Sequence, residues 1–107
     1  MSDLDFTICC TVTFFSKKRG TPPNLNNGKY CPYLVIKGSE QPLGVNFIDG
    51  EDVTFDKRIG ANALPLHETV DYSALQAGTE FLIMEGGNIV GEGIVKEVFQ
   101  HKPHEKK

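Results

Sequence analysis

Apolar residues along this chain recur at every second position in short runs, and scarcely anywhere at the three-to-four spacing of an amphipathic helix. The first run, Asp5 to Phe15 (DFTICCTVTFF), is rich in β-branched and aromatic residues and predicts a strand. YLVIKG, from Tyr33, predicts a second, preceded by Pro32, whose missing N–H suits the start of a strand. LGVNFI alternates from Leu43 to Ile48 as a third and leads into a turn at Asp49-Gly50. VTFDKRIG then predicts a half-exposed fourth strand, with Val53 and Phe55 on one face and Thr54, Asp56 and Arg58 on the other. A hairpin from Phe81 to Phe99 supplies the last two strands.

Turn chemistry separates these runs. SKKRGTPPNLNNGK, after the first strand, gathers Pro, Gly and Asn in a loop long enough to suggest function. ANALPLHETVDYSALQAGTEF is the least regular segment. Within it, residues 72–77 predict at most one helical turn, capped by Asp71 or Ser73 and stopped by Gly78. With no strand-helix-strand alternation, the fold class is all-β, and a single closed six-stranded antiparallel β-barrel is the natural solution, because closure removes exposed sheet edges.

Composition narrows the function. The 107 residues suit one domain, taken as 1–99, followed by a polar tail, 100–107 (QHKPHEKK), expected to fray. Hydrophobic residues at 39% and charged residues at 23% exclude disordered and collagen-like classes. A net charge of −3 gives no global basic field, so any attraction to nucleic acid has to be local. MSDLDFTICC has neither the charged start nor the apolar core of a secretory signal, and no run reaches membrane-span length, so a cytoplasmic protein without membrane contact is expected. Cys9, Cys10 and Cys31 are odd in number and lack metal spacing, which fits reduced thiols, with Cys9 and Cys10 on opposite faces of a strand.

The stretch FLIMEGGNIVGEGIV, Phe81 to Val95, carries four glycines and raises the question of a phosphate cradle. Gly86 to Gly93 has the glycine spacing of a phosphate loop, but Glu92 and Gly93 stand where lysine and a hydroxyl residue belong. A β-branched run follows where a helix should start. A hairpin accounts for the pattern better. Gly86-Gly87 is a two-residue turn, Leu82 falls opposite Gly91, and Gly91 and Gly93 mark a barrel corner or a strip of close backbone approach. A binding surface at the turn stays open beside that structural role.

The same string resembles the closing hairpin of the C-terminal, third β-barrel domain of elongation factor Tu and related translational GTPases, F-x-I-R-E-G-G-R-T-V-G-x-G-V-V. Gly50-Glu51-Asp52-Val53-Thr54-Phe55 is similar to the family's G-D-N-V-T-F, Tyr30-Cys31-Pro32 to its Y-R-P, and Arg19-Gly20-Thr21-Pro22 to its R-H-T-P. Thr11-Val12 to Lys17 is similar to its first strand, and order and spacing hold over residues 6 to 99. The resemblance implies a six-stranded antiparallel barrel that grips the T-stem of aminoacyl-tRNA, packs on a GTPase domain and contacts the nucleotide-exchange factor. It implies Arg19, Gly86 and Gly87 as nucleic-acid contacts. The family's GTPase lies on a separate domain with no counterpart in these residues, so the chain is expected not to be an enzyme and to need no cofactor.

Several positions depart from the family. Tyr33 replaces a glutamine, Leu64 falls where a lysine belongs, Met84 and Asn88 replace arginines, and Cys31 replaces the arginine of Y-R-P. Every phosphate left without its cation weakens RNA binding, because fewer counterions are released, and the departures together reach orders of magnitude. Lys17 and Lys18, beside Arg19, form a candidate basic patch. His101-x-x-His104 has a two-ligand spacing without a third ligand, so no metal site is expected. His67 with Glu68 and Asp71 lacks a nucleophile. The expectation is a non-catalytic, translation-associated binding module with tRNA or other RNA, a translational GTPase or its exchange factor as partners. The alternative is a stand-alone protein–protein or immunity-type module that has lost RNA binding.

Overall fold

The computed structural model describes residues 6–67 and 69–101. Six antiparallel strands, β1 (Phe6–Phe14), β2 (Tyr33–Ile36), β3 (Pro42–Gly50), β4 (Ile59–Pro65), β5 (Glu80–Glu85) and β6 (Asn88–Gln100), close a barrel in the order β1-β4-β3-β2-β5-β6. The described residues contain no helix. Alternation drives the closure: β1 buries Ile8, Cys10, Val12 and Phe14 inward while Cys9, Thr11 and Thr13 face out half-exposed. Phe14, Phe47 and Phe81 are fully buried and fill the interior, each contributing on the order of 1.5–3 kcal/mol by burial. A barrel so filled leaves ligand binding to its ends and outer face.

The fourth strand differs from expectation. Residues 53–58 form a loop, and the strand begins at Ile59. Val53 and Phe55 are half-buried against the core, and Asp56 takes a left-handed conformation (φ 63°) while its amide donates to the Phe14 carbonyl at 2.7 Å. The chain thus crosses the barrel end before it pairs. β4 itself alternates strictly, with Ile59, Ala61, Ala63 and Pro65 inward, and the small Ala63 lies opposite the bulky Phe47. Asp49 and Gly50, expected as a turn, belong to β3 and pair with Asn62 and Ala61, after a bulge between Phe47 and Asp49.

The hairpin has the expected two-residue Gly86-Gly87 turn, with Glu85 opposite Asn88 and Gly86 at φ 61°. Its register differs by one residue. A bulge between Ile83 and Met84 places Ile83, not Leu82, opposite Gly91. The glycine strip is a close-approach strip: a Cβ on Gly91 would lie 2.5 Å from the Thr13 carbonyl oxygen, and one on Gly93 2.5 Å from that of Thr11 and 2.7 Å from the Phe81 ring. In place of a helical turn at 72–77, two successive tight turns occur, one closed by the Leu75 amide on the Tyr72 carbonyl at 2.9 Å and the next by Thr79 on Gln76 at 2.9 Å. Asp71 caps the first by accepting the Ser73 amide at 2.9 Å, and Gly78 (φ 91°) ends the second.

Candidate functional site at the loop end

Antiparallel pairing sends the β1–β2 loop (15–32), the β3–β4 loop (51–58) and the Gly86-Gly87 turn to one end of the barrel. Lys17, Lys18, Arg19, Lys29, Lys57 and Arg58 all lie on these loops, and Lys37 and Lys96 are the only other Lys or Arg among the described residues. The loops are tied together by backbone. The Phe15 amide donates to the Val90 carbonyl at 2.9 Å, Lys18 to Phe15 at 3.2 Å, and the Ser16 amide to Asp56 Oδ1 at 3.2 Å. Lys17 and Lys18 are therefore exposed on a fixed turn.

Arg19 is held from three sides. Nε donates to Glu85 Oε2 at 2.7 Å, Nη1 donates to the Thr21 carbonyl, and Cζ lies 5.5 Å from the centre of the Tyr30 ring. Tyr30 donates its hydroxyl to the same Glu85 oxygen at 2.5 Å. Its ring stacks on Phe47 (5.8 Å, 26°) and meets Phe14 edge-on (5.9 Å, 63°), so the cluster stands directly on the barrel core. Burial, then the hydrogen bond to Glu85 and its charge, push the Tyr30 hydroxyl well above the usual phenol range, with Arg19 opposing.

Glu85 immediately precedes the turn, so its ion pair ties Arg19 to the strand end that carries Gly86 and Gly87. A Cβ on either glycine would meet nothing within 4 Å, which leaves the turn open to an approaching backbone. Glu85 offsets the charge of Arg19. Lys17, Lys18, Lys29, Lys57 and Arg58 form no ion pair among the described residues, and against them these loops carry Glu51, Asp52 and Asp56. The Gly60 amide donates to Glu51 at 3.2 Å, and Asp56 already holds Ser16. The end is locally positive on a chain whose net charge is negative.

The departures from the family pattern also gather. Tyr33 pairs with Met84 and Met84 with Ile89, forming a row across the outer face of β2, β5 and β6, with Tyr33 41% and Ile89 37% exposed. Cys31 is exposed and Leu64 half-buried. An apolar strip thus lies beside the cationic loops.

The remaining candidates do not assemble. The exposed His67 ring lies over Gly44, whose added Cβ would be 2.5 Å from it, and Asp71 is occupied with Ser73; Glu68 lies outside the described residues. His101 hydrogen-bonds the Thr7 hydroxyl, and His104 lies outside the described residues. Sequence reasoning missed Glu85 and Tyr30, although a carboxylate beside the turn and an aromatic after a loop with a single arginine are the residues able to hold that arginine. No protein-family model matches the chain, and no curated protein matches it.

Proposed function

We propose that this barrel is a non-catalytic binding module whose loop end receives a phosphate backbone, with tRNA or another RNA of the translation apparatus as its ligand. The observation that carries the reading is the placement of Lys17, Lys18, Lys29, Lys57 and Arg58 on loops at the same end of the barrel as the open Gly86-Gly87 turn. Resemblance to the third domain of elongation factor Tu supplies RNA as the class, and a translational GTPase or its exchange factor as the protein partner. The test is anisotropy of labelled tRNA, charged and uncharged, at about 50 and about 200 mM salt. Salt-sensitive binding weakened by the Lys17→Ala/Lys18→Ala pair supports the reading; no binding at the lower salt overturns it.

A second reading, a protein–protein module without RNA contact, draws on the Tyr33–Met84–Ile89 row standing where the family pattern has polar and basic residues. Binding of a purified translational GTPase that Tyr33→Asp abolishes, with no RNA binding, would establish it.

A further inference from the structure

β6 outruns its neighbour at the end of the barrel opposite the cationic loops. Its ladder to β5 ends where Ile94 meets Glu80, and Val95 then exchanges hydrogen bonds with Thr79 (2.9 Å) and Gly78 (2.8 Å). From Lys96 to Gln100 the strand pairs, among the described residues, with β1 alone. Its other edge therefore presents backbone unpaired among the described residues, the arrangement to which an additional strand attaches.

That edge borders a groove of about 910 Å³ between β6 and the loop 69–77. Phe6, Tyr72, Leu75 and Val98 supply its apolar surface, Asp71 and Glu97 line it with carboxylates, and among the described residues no Lys, Arg or His lines it. The walls are rigid. Tyr72 donates its hydroxyl to the Gly44 carbonyl at 2.5 Å, accepts the Leu66 and His67 amides at 3.2 Å each, and meets Phe6 edge-on at 6.2 Å. Lys96, the nearest cation in sequence, lines a separate hollow with Cys9 and Asn62. The groove is thus acidic, partly apolar and preformed, and one of its walls is an open strand edge.

We propose that the groove takes an extended peptide segment alternating basic and apolar side chains, which adds as a strand to the Lys96–Gln100 edge of β6. Main-chain hydrogen bonds to the edge supply register. Apolar side chains lie on Val98 and Leu75, and Lys or Arg side chains meet Asp71 and Glu97. The site is independent of the RNA reading, since it lies at the other end of the barrel and uses none of its residues.

The experiment titrates the full chain, labelled with ¹⁵N, with a fluorescent Lys-Val-Lys-Val-Lys-Val peptide, its Glu-for-Lys counterpart, and a version N-methylated at alternate residues. Expected results are binding of the lysine peptide alone, new hydrogen-exchange protection of the 96–100 amides, loss on N-methylation, and at least about tenfold weakening in the Asp71→Asn/Glu97→Gln pair. Both substituted residues are exposed, and an unchanged circular dichroism spectrum verifies folding. Equal binding of the glutamate peptide, insensitivity to N-methylation, shifts at 15–19 and 86–87 in place of 96–100, or no binding would overturn the proposal. It is overturned equally if the 96–100 amides are protected without peptide and lose that protection when residues 1–5 or 102–107 are deleted, because the chain's own ends then occupy the edge.

Discussion

The Tyr30 hydroxyl donates to Glu85 Oε2 at 2.5 Å, and this bond joins the aromatic floor of the loop end to its rim. Arg19 Nε reaches the same oxygen at 2.7 Å, so one carboxylate anchors the 15–32 loop to the β5–β6 hairpin from two directions. The family-implied RNA contact Arg19 is consequently already paired with an anion within its own chain. Glu85 already offsets the charge of this guanidinium, so a phosphate meeting its remaining N–H groups gains less from it, and the loop end gains order at the expense of one free positive charge.

Glu85→Gln separates these roles. The amide oxygen still accepts from Tyr30, but the ion pair with Arg19 is gone, so stability falls by about 1–2 kcal/mol while tRNA affinity rises several-fold. Arg19→Ala lowers both. Urea unfolding and tRNA anisotropy on the two variants read the pair of effects; an affinity unchanged in Glu85→Gln would remove Arg19 from the RNA surface.

Alkaline pH should weaken the fold through buried Cys10 and half-buried Tyr30. Burial, reinforced by Cys9, pushes the Cys10 thiol up to about 12 from 9.0, and burial with Glu85 raises Tyr30 from 10.0. Both folded pKa values are raised, so the stabilisation is complete below the unfolded values and is lost as pH rises through the folded ones. The urea midpoint should stay level to pH 9 and then fall as the unfolded thiol of Cys10 ionises while the folded one, pushed up to about 12, stays protonated. Tyr30 adds to the slope above pH 10, and Tyr30→Phe should remove that added part.

Much of the barrel was legible because period-two alternation in β1, β3, β5 and β6 is carried by Val, Ile, Phe and Thr. β4 was not, since Ile-Gly-Ala-Asn-Ala-Leu-Pro is weak in strand propensity and forms a strand because it is paired on both sides, with β1 and with β3. Val53 to Arg58 has the stronger local pattern, yet the crossing to Phe14 prevails, with Asp56 in a left-handed conformation that a strand forbids. At the site, Arg19 and the glycine turn were found through resemblance. Glu85 and Tyr30 were not, because their pairing spans 55 residues and depends on which strands meet.

The glycines of β6 should rank by what a methyl group would meet. Gly91→Ala and Gly93→Ala each drive a Cβ into a β1 carbonyl at 2.5 Å, and backbone cannot yield as a side chain does, so a loss of roughly 3 kcal/mol or more is expected. Gly86→Ala, at the turn before β6, meets no atom and carries only the left-handed conformation, about 1 kcal/mol. Thermal unfolding orders the three variants. Equal losses would mean that β6 shifts away from β1 without cost.

On the proposed RNA reading, the salt dependence of tRNA binding should resolve which loop supplies the cations that meet phosphate. Lys17 and Lys18 stand on a turn pinned to Val90 and Asp56, and Lys57 and Arg58 directly follow Asp56 on the adjoining loop, so the two pairs are neighbours at the end of the barrel that carries the Gly86-Gly87 turn. Each duplex phosphate that a removed cation no longer neutralises lowers the slope of log affinity against log salt by about 0.9. Replacing either pair by alanine should therefore lower it by up to about 1.8, and replacing all four should do so additively, because exposed side chains on separate loops do not share partners. A slope moved by the first pair alone confines the ligand to the 15–32 loop and the turn; a slope moved by neither removes RNA from the loop end altogether.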